Sequence, residues 1–119
     1  MAGSKKRLPV VFYRTEAGGE PVRDWLKSGE ISPEDRRRIG EDIKTVEFGW
    51  PVGMPTCRPL GDGLWEVRIS LKRRIARVLF CVRHERMVLL HGFVKKTQRT
   101  PAGDLALALE RKRRLETET

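Results

Sequence analysis

Gly63-Leu64-Trp65-Glu66-Val67-Arg68-Ile69-Ser70-Leu71, Lys72-Arg73-Arg74, Ile75-Ala76-Arg77-Val78-Leu79-Phe80-Cys81-Val82 and, after Arg83-His84-Glu85-Arg86, Met87-Val88-Leu89-Leu90-His91-Gly92-Phe93-Val94-Lys95-Lys96-Thr97-Gln98-Arg99-Thr100-Pro101 form the stretch that decides the fold. Its three apolar runs, rich in β-branched residues and split by short charged connections, predict an antiparallel meander. The cations are placed unusually. Between Glu66 and Arg99 there are ten Lys or Arg and two acids, Glu66 and Glu85. The local balance is +8, against a formal +9 for the whole chain.

Alternation along a strand says where those charges point. An even-length hairpin centred on Lys72-Arg73 sets Arg68 directly opposite Arg77. A four-residue second loop sets Arg77 opposite Gly92, whose missing side chain leaves the arginine room, with Lys96 further along the same face. Like charges opposed on a sheet destabilise it, so two arginines among Val, Ile and Leu imply an anionic ligand between them. The reading rests on register, since a slip of one residue moves the set apart. Simple ion pairs are the alternative: Arg77 with a helix carboxylate such as Glu34 or Glu41, Arg68 with Glu66.

Working outward, residues 1–8 read as a flexible basic tail and residues 9–119 as one domain. Val10 to Arg14 form a short strand. Pro21 opens a helix whose inner stripe is Val22, Trp25 and Leu26, and Gly29 stops it. Ser32-Pro33-Glu34-Asp35 is a helix start, and Ile39, Ile43 and Val46 face inward until Gly49 and Pro51 end that helix. Residues 50–62 read as a Pro/Gly-rich connection. Thr100-Pro101 repeats the start signal for a last helix carrying Leu105, Ala108, Leu109 and Leu115 inward. The order β-α-α-β-β-β-α makes this an α+β chain with a mainly antiparallel sheet.

The excess of positive charge, with a pI near 10.3, implies a polyanionic partner. A membrane surface fits poorly, because the cations lie on strands rather than along an amphipathic helix. No run reaches the ~18 apolar residues of a spanning helix, and no apolar h-region follows the basic start, so no secretory leader is expected. Cys57 and Cys81 match no metal spacing and read as reduced, packed thiols in a cytoplasmic protein. Two acids in the basic stretch do not make a two-metal centre, so neither metal nor cofactor is expected. His91 reads as a satisfied core histidine beside Phe93 and Leu89. The three tryptophans read as packing.

The Gly63–Arg68 run, the Ile75–Val78 strand and above all the HGF-x-KKT-x-x-TP run at His91–Pro101 resemble the RelE/HigB superfamily of toxins from type II toxin–antitoxin systems. The phage-derived HigB-like branch is the nearest in pattern, and the resemblance spans roughly Pro9 to Leu115. It implies a small fold with a curved antiparallel sheet, cleavage of mRNA, usually on the ribosome, and neutralisation by an antitoxin that often carries a helix-turn-helix. The family's basic catalytic positions fall on Arg68, Arg77 and Lys95 or Lys96, close to the set that alternation selects. The tyrosine, or histidine and aspartate, that better-known members carry near the last strand and helix has no match; the one tyrosine is Tyr13. A lysine beside two arginines has its charged form disfavoured, which suits a base for a ribose 2′-OH. Lys72, Arg73, Arg74, Thr97 and Arg99 are further expected RNA contacts. The alternative is a non-catalytic RNA- or DNA-binding protein using the same basic sheet.

Overall fold

A computed structural model describes residues 5–95 and 100–118, with only the backbone of Lys95. Lys96, Thr97 and Arg99 lie outside the described residues. The elements are β1 (Val10–Phe12), α1 (Pro21–Lys27), α2 (Pro33–Gly49), β2 (Cys57–Gly61), β3 (Leu64–Leu71), β4 (Arg74–Arg83), β5 (Arg86–Lys95) and α3 (Ala102–Thr117). The sheet runs β1-β5-β4-β3-β2, with β1 parallel to β5 and every other pair antiparallel. The meander is its centre, and the fold is the α+β sheet expected from the sequence.

Alternation gives the sheet two apolar faces, and each finds its own helices. Val67, Ile69, Ala76, Val78, Phe80, Met87 and Leu89 pack with Val22, Ile39, Ile43 and Val46 of α1 and α2. Leu64, Leu79, Cys81, Val88, Leu90 and Phe93 pack with Ala108, Leu105 and Leu109 of α3. The α2 start works as its sequence requires: the Ser32 hydroxyl accepts from the Asp35 N–H at 3.1 Å, with Pro33 behind it.

Three expectations are corrected. The connection at 50–62 contains a strand, β2, pairing Cys57 with Val67 and Arg58 with Glu66. Its Pro59 disguises it; an edge strand tolerates proline because one of its sides needs no ladder donor. The tail ends before Leu8, which is 2% exposed, while the N–H groups of Arg7 and Leu8 both donate to the Glu47 carbonyl. Thr100 does not cap α3: Pro101 takes the cap position without a side-chain bond, and the Thr100 hydroxyl serves another partner described below.

The register of the second hairpin is the fourth correction. His84 and Glu85, both at positive φ, make a two-residue turn between the paired Arg83 and Arg86. Up to Phe80↔Leu89 the pairing follows the expected count, and then an irregularity between Leu79 and Phe80 shifts it by one. Leu79 pairs with His91, so Leu90 is the additional residue, a β-bulge. Arg77 therefore sits opposite Phe93 and not Gly92. The Leu90 carbonyl accepts from Arg111 of α3 at 2.7 Å, which satisfies a group the ladder leaves over.

Gly92 consequently serves the other face. A Cβ there would lie 2.4 Å from two ring carbons of Trp25, so the indole occupies the space a side chain would take. Gly92→Ala is expected to destabilise the protein by ~1–3 kcal/mol through overpacking, seen as a fall in Tm of at least ~4 °C. Pairing it with Trp25→Leu should recover part of the loss. Equal Tm values for Gly92→Ala and the parent would contradict this packing.

Candidate anion-binding cleft

At the end of the sheet where β3 meets β4 in the Lys72-Arg73 turn, the α3-side face stops being apolar. Arg68 and Arg77 are directly paired across β3 and β4, as alternation requires. Arg77 is 2% exposed and Glu66 1% exposed. One Arg77 Nη1 donates to both Glu66 oxygens, at 3.2 and 3.1 Å. Arg58 Nε donates to Glu66 Oε1 at 2.9 Å from β2, and the Thr100 hydroxyl donates to Oε2 at 2.9 Å. Three side chains, from β2, β4 and the segment before α3, thus converge on one buried carboxylate of β3.

The ion pair that the sequence left open is realised, with a different partner. Arg77 pairs with strand residue Glu66, not with Glu34 or Glu41 of α2, and Glu66 pairs with Arg77 and Arg58 rather than Arg68. Two same-face neighbours on a strand compete poorly with a cross-strand partner that can present its guanidinium to both carboxylate oxygens. Arg68 is left exposed.

A cleft of about 210 Å³ lies above this network, lined by Met54, Pro55, Arg58, Arg68 and Arg77. Three guanidiniums against the single Glu66 charge leave it strongly positive. Met54, 74% exposed, and Pro55 give it an apolar lip. This arrangement can hold a phosphodiester: charge-assisted donors on one side and an apolar surface for a sugar or base on the other.

Sequence reasoning brought Arg68 and Arg77 together correctly and missed Arg58, Met54 and Pro55. Reading β2 as loop hid them. Pairing Cys57-Arg58-Pro59-Leu60 against β3 would have set Arg58 opposite Glu66. Of the basic turn, Lys72 and Arg73 are exposed, whereas Arg74 is tied to Asp35 at 3.1 Å and to the Glu30 carbonyl at 3.1 Å. The backbone of Lys95 pairs in register with Ile75, two residues before Arg77 in β4.

His91 is half-buried, stacked on Phe93 at 5.4 Å and bonded through Nε2 to Asp104 Oδ1 at 2.6 Å, which ties β5 to the first turn of α3. It shares the Phe93 side as expected; Leu89, before the bulge, is on the other. Cys57 and Cys81 are buried free thiols. Burial, with Glu66 nearby as a lesser cause, pushes the Cys57 thiol up to about 11. Among the described residues no three His, Cys, Asp or Glu side chains are grouped as metal ligands would be, and no described helix is long and apolar enough to cross a membrane.

A family model described as "Phage derived protein Gp49-like (DUF891)" matches residues 24–113, which include α2, the meander and most of α3. That family is associated with the toxins of toxin–antitoxin systems. No curated protein matches the chain.

Proposed function

This chain belongs to the phage-derived Gp49-like family, and we propose that it is the toxin of a type II toxin–antitoxin system, an endoribonuclease of RelE/HigB type that cuts mRNA in the cytoplasm and stops translation. The observation that carries this reading is the cleft of Arg58, Arg68 and Arg77 built around Glu66. Its positive charge suits an RNA phosphate, and its position on rigid strands suits catalysis by electrostatic stabilisation.

In the proposed reaction the ribose 2′-oxygen attacks the adjacent phosphorus. A lysine, Lys95 or Lys96, takes the 2′-OH proton, and the P–O5′ bond breaks as the P–O2′ bond forms. Arg68, assisted by Arg58 and Arg77, stabilises the charge that gathers on the phosphorane oxygens. The departing 5′-oxygen takes up a proton, and the upstream fragment ends in a 2′,3′-cyclic phosphate. The exposed Lys72 and Arg73 add phosphate contacts that hold RNA without reading its sequence. A cognate antitoxin with an acidic or amphipathic segment would neutralise the toxin by covering this surface.

End-group chemistry tests the reading. Fragments of translated mRNA should carry a 2′,3′-cyclic phosphate and a 5′-OH, and 2′-deoxyribose at the scissile nucleotide should remove cleavage while leaving binding. Fragments with 5′-phosphate and 3′-OH ends would mean water attacked instead, and the mechanism would fall. Tight RNA binding without any fragment would favour the non-catalytic alternative.

A further inference from the structure

The cleft has a neighbour. A second depression of about 250 Å³ is lined by Arg38 and Asp42 of α2, by Pro55 and Thr56, and by Arg68 and Ser70 of β3. Arg68 and Pro55 line both, so the two adjoin as one track with Arg68 at the join. The chemistry differs along it. The first cleft offers three cations. The second offers two cations, one carboxylate and two hydroxyls.

Resting on the toxin reading, we propose that this second depression is a nucleotide subsite, holding the residue next to the scissile phosphate and favouring cytosine over uracil. Arg38 is exposed, with its side chain 55% accessible, and its contact with Asp42 is loose at 3.8 Å. A guanidinium so held can turn to a second phosphate while Arg68 holds the first. Asp42 argues against a bare phosphate pocket, since a carboxylate repels phosphate. It suits a base edge instead: a carboxylate accepts from the exocyclic amino group of cytosine, and uracil presents a carbonyl oxygen at that position. Single-stranded RNA exposes such edges. Thr56 and Ser70 supply hydroxyls that can donate or accept at the remaining polar atoms.

The test uses the full chain and 2′-O-methyl hexanucleotides, which lack the attacking hydroxyl, so binding is read apart from cleavage. Each phosphate contact on a single strand contributes about 0.7 to the slope of log affinity against log salt. Arg38→Ala should lower that slope by about 0.7, while Arg37→Ala, exposed on the same helix but outside the track, leaves it unchanged. The parent should bind oligo(C) about fivefold tighter than oligo(U), in line with about 1 kcal/mol for one such contact. Asp42→Ala should erase that difference. Equal slopes for Arg38→Ala, Arg37→Ala and the parent, or a pyrimidine preference unaltered by Asp42→Ala, would overturn the subsite. A parent that cuts no mRNA yet shows both effects would overturn the nuclease reading and keep the subsite.

Discussion

Arg77→Ala is expected to destabilise the protein by ~3–5 kcal/mol, the range for removing one partner of a buried ion pair. Both side chains are almost fully buried, at 2% and 1% accessible, so solvent does little to screen the loss. Arg58 and Thr100 still hold Glu66, which places the value toward the lower end. Against a typical domain stability of ~5–15 kcal/mol, that removes a large share of the margin. Denaturant unfolding measures it, and a loss below ~1 kcal/mol would show that the Glu66–Arg77 pair does not hold the sheet together. It follows that harmless Arg77→Ala cells are poor evidence for a catalytic arginine. The soluble, folded fraction has to be measured alongside growth.

Arg68→Ala is expected to lower mRNA cleavage by ~10²–10³-fold, the usual result of removing one charge-stabilising donor, with stability changed by no more than ~0.5 kcal/mol. Arg68 is exposed and Glu66 is satisfied without it. Single-turnover cleavage on translating ribosomes gives the rate, and thermal unfolding checks the fold. Activity within threefold of the parent would remove Arg68 from the reaction. The two adjacent arginines, paired across the same ladder, are thus expected to fail in opposite ways: one through the fold, the other through the chemistry.

What the sequence made legible was whatever period and punctuation encode. The three strands of the meander, the Ser32-Pro33 helix start and the Arg68–Arg77 pairing all follow from local rules, and all are present. Hidden features needed non-local information. Pro59, with Gly53, Gly61 and Gly63 around the strand, makes β2 read as a loop until β3 is beside it. Arg77 takes its partner from the neighbouring strand because cross-strand geometry, not sequence offset, decides which carboxylate is near. Thr100-Pro101 has the composition of a helix start, but the Thr100 hydroxyl goes to a carboxylate 34 residues away in sequence. The Leu90 bulge has no signature in a run of apolar residues, where Leu89 and Leu90 are interchangeable by type.

That bulge divides β5 into two phases. Before it, Met87 and Leu89 face α1 and α2; after it, Gly92 and Val94 do, and the even and odd positions have exchanged roles. Each half of the strand is a separate reading frame for side-chain direction, and Leu90 is the spacer between them. Deleting that one codon would join Leu89 directly to His91 in an unbroken alternation, with His91 still opposite Leu79, Gly92 opposite Val78 and Phe93 opposite Arg77. Substitutions at Leu90 lose a packing contact, whereas its deletion would also remove the carbonyl that holds Arg111 of α3, loosening that helix without turning any strand residue over. Loss of one residue at 90–91 should therefore be borne in register, because β5 carries one residue there in excess over β4, whereas a one-residue change in the tight turn at His84-Glu85 has no such spare to draw on.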